Sequence, residues 1–220
     1  MPIGVPVTSG AAKSPQNVTL IGQHITIIPF NVEAHSPPLF DIPNKDQLYF
    51  YLPVGPFATL EDQKRSQNAM MARPDQKLYA LINPNTGKVL GHAAYLRIDP
   101  ANASIEIGNI LFTNSLQRTP AATEAMYLMA KYAFEDLGYR RYEWKCNNLN
   151  EPSKRAALRF GFTFEGVFRQ AAIVKGRNRD TTWYSMLDSE WPKHKQRFES
   201  WLNPDNFEVD GTQRKSLSEF

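Results

Sequence analysis

The 220-residue sequence contains one cysteine, Cys146. A single thiol excludes an internal disulfide, and its place in an alternating apolar run reads as a buried, inert side chain. No run approaches the ~18 apolar residues that a membrane span requires. The opening MPIGVPVTSGAAKSPQN lacks a basic start and a long apolar core, so no export signal is expected. The four histidines are scattered, and no His, Cys and Asp cluster has metal-ligand spacing, so no metal is expected. Net charge is only +3, too mild to indicate a nucleic-acid binder. Internal repeats are absent. The expectation is a soluble cytoplasmic protein that engages neither membrane nor nucleic acid.

What is present suits one large domain. Hydrophobic residues make up 42% and aromatics 12%, ample for a packed core. Residues 1–19 are rich in Pro, Ser, Gly and Thr and read as a flexible N-terminal arm. The folded domain is expected over 20–190, with a C-terminal helix and a frayed tail over 191–220. HITIIPF (24–30) reads as the first strand. Pro37, Pro38, Pro43, Pro53, Pro56 and Pro74 restrict 31–77 to short helices, one of them near 59–72 and capped by Thr59.

KLYALINPNTGKVLGHAAYLRID reads as a hairpin about NPNTGK. SIEIGNILF (104–112) is the next strand, with Ile105, Ile107 and Leu111 on one face. Glu106, Gly108, Ile110 and Phe112 lie on the other. Thr119 and Pro120 open the best helix, whose stripe is Met126, Met129, Ala130, Ala133, Phe134 and Leu137. Gly138 ends it. RYEWKC (141–146) alternates as a strand. FTFEGVFRQAAIV and TTWYSML follow a second, short helix, with KGRNRD as the exposed hairpin tip between them. Consecutive strands followed by strand–helix–strand–helix–strand predict an α/β (α+β) fold, a mixed sheet flanked by helices.

Three places carry candidate chemistry. Gln117, Arg118 and Thr119 precede the long helix, and small residues Ala121, Ala122 and Thr123 form its first turn. This is either an ordinary capped helix or a site where free N–H groups and the helix dipole meet an anion. Asn150 either caps the second helix or offers its amide to a ligand, and Ser153 lies one turn in. Glu106 is either an ion-paired strand residue or a carboxylate facing a cleft.

QRTPAATEA (117–125), NEPSKRAALRFGFTFEGVFR (150–169) and KGRNRDTTWYSML (175–187), in that order, resemble the GNAT superfamily of N-acetyltransferases, specifically its RimJ/RimL-like branch. The resemblance spans about residues 20–190. It implies a twisted mixed sheet of about seven strands, splayed between the fourth and fifth, here 104–112 and 141–146. Acetyl-CoA would lie in the opening. Its diphosphate would meet Gln117, Arg118, Thr119, Ala121, Ala122 and Thr123, with Arg118 compensating for the N–H that Pro120 lacks. Amides around Ile110, Leu111 and Phe112 would stabilise the oxyanion. Asn150 would hold the pantetheine arm, and Ser153 would sit near the sulfur. Arg155 would reach the 3′-phosphate or belong to a solvated face.

By the same resemblance Glu106 and Ser153 are the catalytic candidates. The general-acid Tyr of many members is replaced here by Ala157. Tyr51, Phe57 and Trp183 would wall the acceptor site, while His35 and His92 carry no assignment. The implied activity is direct attack by a primary amine, from a small molecule or a protein N-terminus, in a monomer or homodimer. The rival reading is a catalytically weak acyl-CoA-binding regulatory module, which Pro120 and Ala157 keep open.

Overall fold

A computed structural model describes residues 4–7 and 10–220. Two short strands, β1 (Leu20–Ile21) and β2 (Thr26–Pro29), open the sheet. Helix α1 (Val32–Phe40) begins at Asn31, whose side chain accepts from Ala34 N–H, and it runs through Pro37 and Pro38. A single turn, α2 (Lys45–Leu48), precedes α3 (Leu60–Met71), which Thr59 caps as expected. Strands β3 (Lys77–Ile82), β4 (Val89–Asp99) and β5 (Ser104–Phe112) follow. Helix α4 (Pro120–Lys131) leads to β6 (Arg141–Asn147), α5 (Glu151–Phe160), β7 (Thr163–Val174), β8 (Arg177–Leu187) and α6 (Trp191–Leu202).

The strand order is β1-β2-β3-β4-β5-β6-β8-β7. Eight strands stand where about seven were expected, because β1 forms separately from β2, and the splay falls between the fifth and sixth in this count. Every neighbour pair is antiparallel except β5 with β6. That parallel pairing covers only Ser104–Ile107 against Arg141–Trp144. Beyond it, β5 stays with β4 as far as Phe112, and β6 stays with β8 as far as Asn147. The two strands therefore part after Ile107 and Trp144. The cause is local: the β4–β5 register shifts between His92 and Ala94, and Asn109 takes a left-handed φ of 47°. A bulge of this kind bends its strand and increases the twist.

One face of the sheet buries Ile105, Ile107, Leu111, Tyr142, Trp144, Tyr184 and Met186 beneath α4 and α6. The other buries Phe30, Leu39, Leu78 and Ala94, with α1 and α3 over β2–β4. All six residues of the predicted α4 stripe are buried. The helix widens to a π turn at Tyr132–Asp136 before Gly138 stops it at φ 76°. Buried Tyr95 donates from its hydroxyl to Met129 O at 2.6 Å, where that turn begins.

Glu124 ties α4 to the start of the sheet. Its carboxylate accepts from Gln23, His24 and Ile25 N–H at 2.8, 2.6 and 3.0 Å. A Cβ at Gly22 would collide with that carboxylate, so a larger residue there would have to displace it from these amides.

Three expectations change. KGRNRD is not a six-residue tip: the strands run on, leaving Lys175 and Gly176, at φ 50° and 71°, as a two-residue turn. Such a turn matches the twist of the flanking strands. Residues 12–16 of the arm are held down, since Ala12 is buried and Tyr79 donates from its hydroxyl to Gln16 O at 2.7 Å; residues 1–3 and 8–9 of that arm lie outside the described residues. The tail folds back, with Leu217 buried and Phe207 bridging Gln213. No helix among the described residues is long and apolar enough to cross a membrane.

Candidate active site

The gap between β5 and β6 opens toward two helix starts. At α4, Thr119 Oγ1 accepts from Ala122 N–H at 3.2 Å, and Pro120 has no N–H to give. Among the described residues the amides of Arg118, Thr119 and Ala121 have no acceptor within the chain. Small first-turn side chains leave these donors accessible, and the helix dipole adds roughly half a positive charge. Gln117 closes the loop by donating to Phe112 O at 2.9 Å. Gln117 and Arg118 are exposed, and Arg118 takes a left-handed φ of 61°. Thr123 turns inward instead, accepting from Arg159 at 3.1 Å.

At α5, Asn150 caps the helix by accepting from Ser153 N–H at 3.2 Å. Its Nδ2 has no partner among the described residues, so capping leaves donors free on the same side chain. Ser153 Oγ accepts from Trp144 Nε1 at 3.0 Å. That bond takes one lone pair and leaves the hydroxyl proton to donate elsewhere. Cys146 lies beside it, buried, and burial pushes the thiol pKa up, which agrees with an inert side chain. Arg155 is exposed.

The gap-facing amides of β5 follow from strand alternation. Thr113 N–H donates to Leu90 O, and the Leu111 carbonyl stands over Gly91. Leu111 and Thr113 thus direct their backbone groups at β4, and Ile110 and Phe112 direct theirs at the gap. Of the three amides named for the oxyanion, those of Ile110 and Phe112 face the gap and that of Leu111 faces β4.

The opposite side of the gap holds Glu106. It is 6% exposed, 2.9 Å from Lys145 Nζ and 3.6 Å from Arg97 Nε. Burial raises its pKa, and Lys145 works against the rise. Gly108, next on that face, makes room for Leu96 beside the carboxylate, since a Cβ there would stand 2.6 Å from Leu96 Cδ1 and 3.3 Å from Glu106 Oε1. Lys145 also meets Glu143 at 2.6 Å and lies 3.7 Å from the Trp183 ring centroid. Phe168 stacks on the same indole at 4.6 Å.

Phe57 lines a small apolar cavity with Tyr49, Leu52, Met70, His92 and Asn109. His92 is 4% exposed, its Nδ1 has no partner, and burial brings its pKa down to about 4. Tyr51 is not in that cavity. Its hydroxyl donates to Leu149 O at 2.8 Å, across the mouth of the gap. Lys175, at the β7–β8 turn, donates to Tyr49 O at 2.7 Å. A wider concavity is lined by Phe40–Gln47, and its Lys45 donates to Phe57 O at 3.4 Å.

The sequence profile of the Acetyltransferase (GNAT) domain matches residues 24–163. The chain belongs to the GNAT family. It resembles the crystal structure of a GCN5-related N-acetyltransferase from Brucella melitensis at 44% identity, covering 96% of this chain and 97% of that one with a TM-score of 0.93. A probable GNAT acetyltransferase from Chromobacterium violaceum is 36% identical over 87% and 98% of the two chains, with a TM-score of 0.83. The ribosomal-protein-serine acetyltransferase of Escherichia coli is 28% identical over 72% of this chain and 90% of that protein.

This GNAT protein is therefore an acyltransferase that moves an acetyl group to an amine. Its residues divide between the two sides of the gap. Gln117–Ala122, Asn150 and Ser153 gather on one. Glu106, Phe57 and Trp183 lie on the other, with Tyr51 bridging the mouth. Sequence reasoning missed Lys145, Asn109 and the role of Lys175. Lys145 alternates in phase with Glu143 on a strand otherwise read for its apolar face, and that phase was the available signal. No sequence signal marked Asn109 as a bulge.

Proposed function

We propose that the chain binds acetyl-CoA between β5 and β6 and transfers acetyl to a primary amine, in the manner of the RimJ/RimL-like branch. One observation carries the reading: β5 and β6 pair over four residues and then part, with unclaimed amides at an open helix start beside the gap. The residues fit the ligand. Arg118, Thr119 and Ala121 amides suit a diphosphate, and the free Nδ2 of Asn150 suits an amide-rich arm. Members of the family use acetyl-CoA, which supplies the acetyl group as a thioester.

The chain's own groups have separable roles. Ile110 and Phe112 amides face the position where negative charge develops on a carbonyl oxygen. Ser153, fixed by Trp144, presents a proton toward the leaving sulfur. Glu106 takes the proton that the attacking amine must lose, directly or through water. Phe57, Trp183 and the bridging Tyr51 bound the acceptor.

The likeness to a ribosomal-protein-serine acetyltransferase keeps a protein N-terminus among the acceptors. The narrow cavity and the two contacts over the mouth favour a compact amine. The test is free-thiol release from acetyl-CoA with a panel of small amines and N-terminal peptides. Turnover with at least one class is expected. Tight CoA binding with no turnover across the panel would favour the regulatory module instead.

A further inference from the structure

Lys145 is the least expected residue in the cleft. It is the first residue of β6 beyond the paired stretch, and its side chain is 6% exposed. Its Nζ lies between two carboxylates, Glu106 at 2.9 Å and Glu143 at 2.6 Å, with the Trp183 ring as a third wall. A buried cation needs this degree of satisfaction, because an unpaired one costs several kcal/mol. Glu143 has a second cation, Arg141 Nε at 2.7 Å, and Arg141 also reaches Glu165. Glu106 has only Lys145 close by, with exposed Arg97 farther off at 3.6 Å. Glu143 therefore keeps a partner without Lys145, whereas Glu106 would be left buried beside Arg97 alone.

We propose that Lys145 is the positioning residue of this acetyltransferase: it fixes the Glu106 carboxylate and keeps it ionised, and Glu143 is the counterweight that limits its pull. The proposal rests on reading Glu106 as the proton acceptor. Arg97, Lys145 and Glu143 are the charged groups that face Glu106. Their effects have definite signs. Losing Lys145 removes the main opposition to burial, so Glu106 binds its proton at higher pH. Losing the Glu143 charge removes a like charge and leaves Lys145 wholly to Glu106, so Glu106 releases its proton at lower pH. A purely structural ion pair would shift the titration of its own carboxylate but leave the acidic limb of kcat/KM where it is.

The test is the pH dependence of kcat/KM with acetyl-CoA and the best amine of the panel. Lys145→Met is expected to move the acidic limb up by about one pH unit or more. Lys145→Arg should leave it near the parent position, and Glu143→Gln should move it down. Carboxyl 13C titration of the Glu106 side chain, assigned by its disappearance in Glu106→Gln, reads the same shifts without turnover. If Lys145→Met does not fold, the kcat/KM limbs of Glu143→Gln and Lys145→Arg decide the matter, read together with that titration. Coincident limbs, or shifts of the same sign in Lys145→Met and Glu143→Gln, overturn the proposal. If Glu106→Gln keeps the parent's acidic limb, it is the reading of Glu106 as base that fails.

Discussion

Gln117 reaches Phe112 five residues away, whereas Lys175 reaches Tyr49 across 126. This contrast separates the two sides of the gap. On the side proposed for the cofactor, Thr119 meets Ala122 and Asn150 meets Ser153 at a spacing of three. Its donors are mostly backbone amides placed by helix caps. On the side proposed for the acceptor, Lys145 meets Glu106 across 39 residues and Tyr51 meets Leu149 across 98. Its donors and charges are side chains brought together only by the finished sheet. A site of local backbone geometry should tolerate side-chain change, and a site of distant side chains should not.

The largest expected effect therefore lies on the acceptor side. Glu106→Gln should lower kcat/KM about 100-fold at neutral pH, with CoA affinity unchanged. Thiol release and calorimetry with CoA check the two halves of that statement. If CoA affinity fell as far as turnover, the two sides would not be separable.

His92 gives the next effect, on stability. Its pKa is brought from 6.5 to about 4 by burial. Below pH 6.5 the unfolded chain therefore binds a proton that the folded chain refuses. Stability from this group is complete above pH 6.5 and declines as pH falls toward 4, by about 2 kcal/mol at pH 5. Denaturant unfolding at pH 7 and pH 5 should show that loss in the parent relative to His92→Gln. An identical pH response in the two proteins would mean that His92 is not held neutral in the fold.

What the sequence made legible follows the same division. Thr119, Pro120 and the α4 stripe were readable because caps and periodicity are local. The parting of β5 and β6 was readable only through the family resemblance, since its direct cause, the bulge at Asn109, leaves no mark in composition or alternation. The ion pairing of Glu106 was one of two readings left open, and its partner Lys145 stands on another strand. The apparent tip KGRNRD misled because the polar start of β8, which runs beyond its pairing with β6, looks like a loop. Glu124 passed unnoticed because the three amides it accepts from lie about 100 residues upstream.

On the cofactor side the expected effects are smaller. Arg118→Glu places an anion beside the unclaimed amides and should weaken CoA binding about tenfold. Arg118→Ala should change it much less, because the amides of Thr119 and Ala121 remain. Ser153→Ala should lower turnover and leave CoA affinity nearly intact. Equal losses in the two Arg118 variants would place the recognition in the side chain and blur the contrast.

The smallest effect belongs to Tyr51, which reaches across the mouth of the gap. Its hydroxyl bonds Leu149 O, next to the Asn150 cap, and its own segment leads into the acceptor wall. Tyr51→Phe deletes a single partly solvated hydrogen bond worth about 1 kcal/mol or less. Lys175 still holds Tyr49, so the segment keeps its tie to the β7–β8 turn. The KM for the amine should rise by a few-fold, with kcat and CoA affinity unchanged. Adding Lys175→Met removes the tie to the β7–β8 turn as well, and the combined rise should exceed the product of the two single effects. Were CoA affinity to fall instead, the 49–57 segment would belong with the cofactor, and the boundary between local and distant construction would run through Tyr51 rather than along the gap.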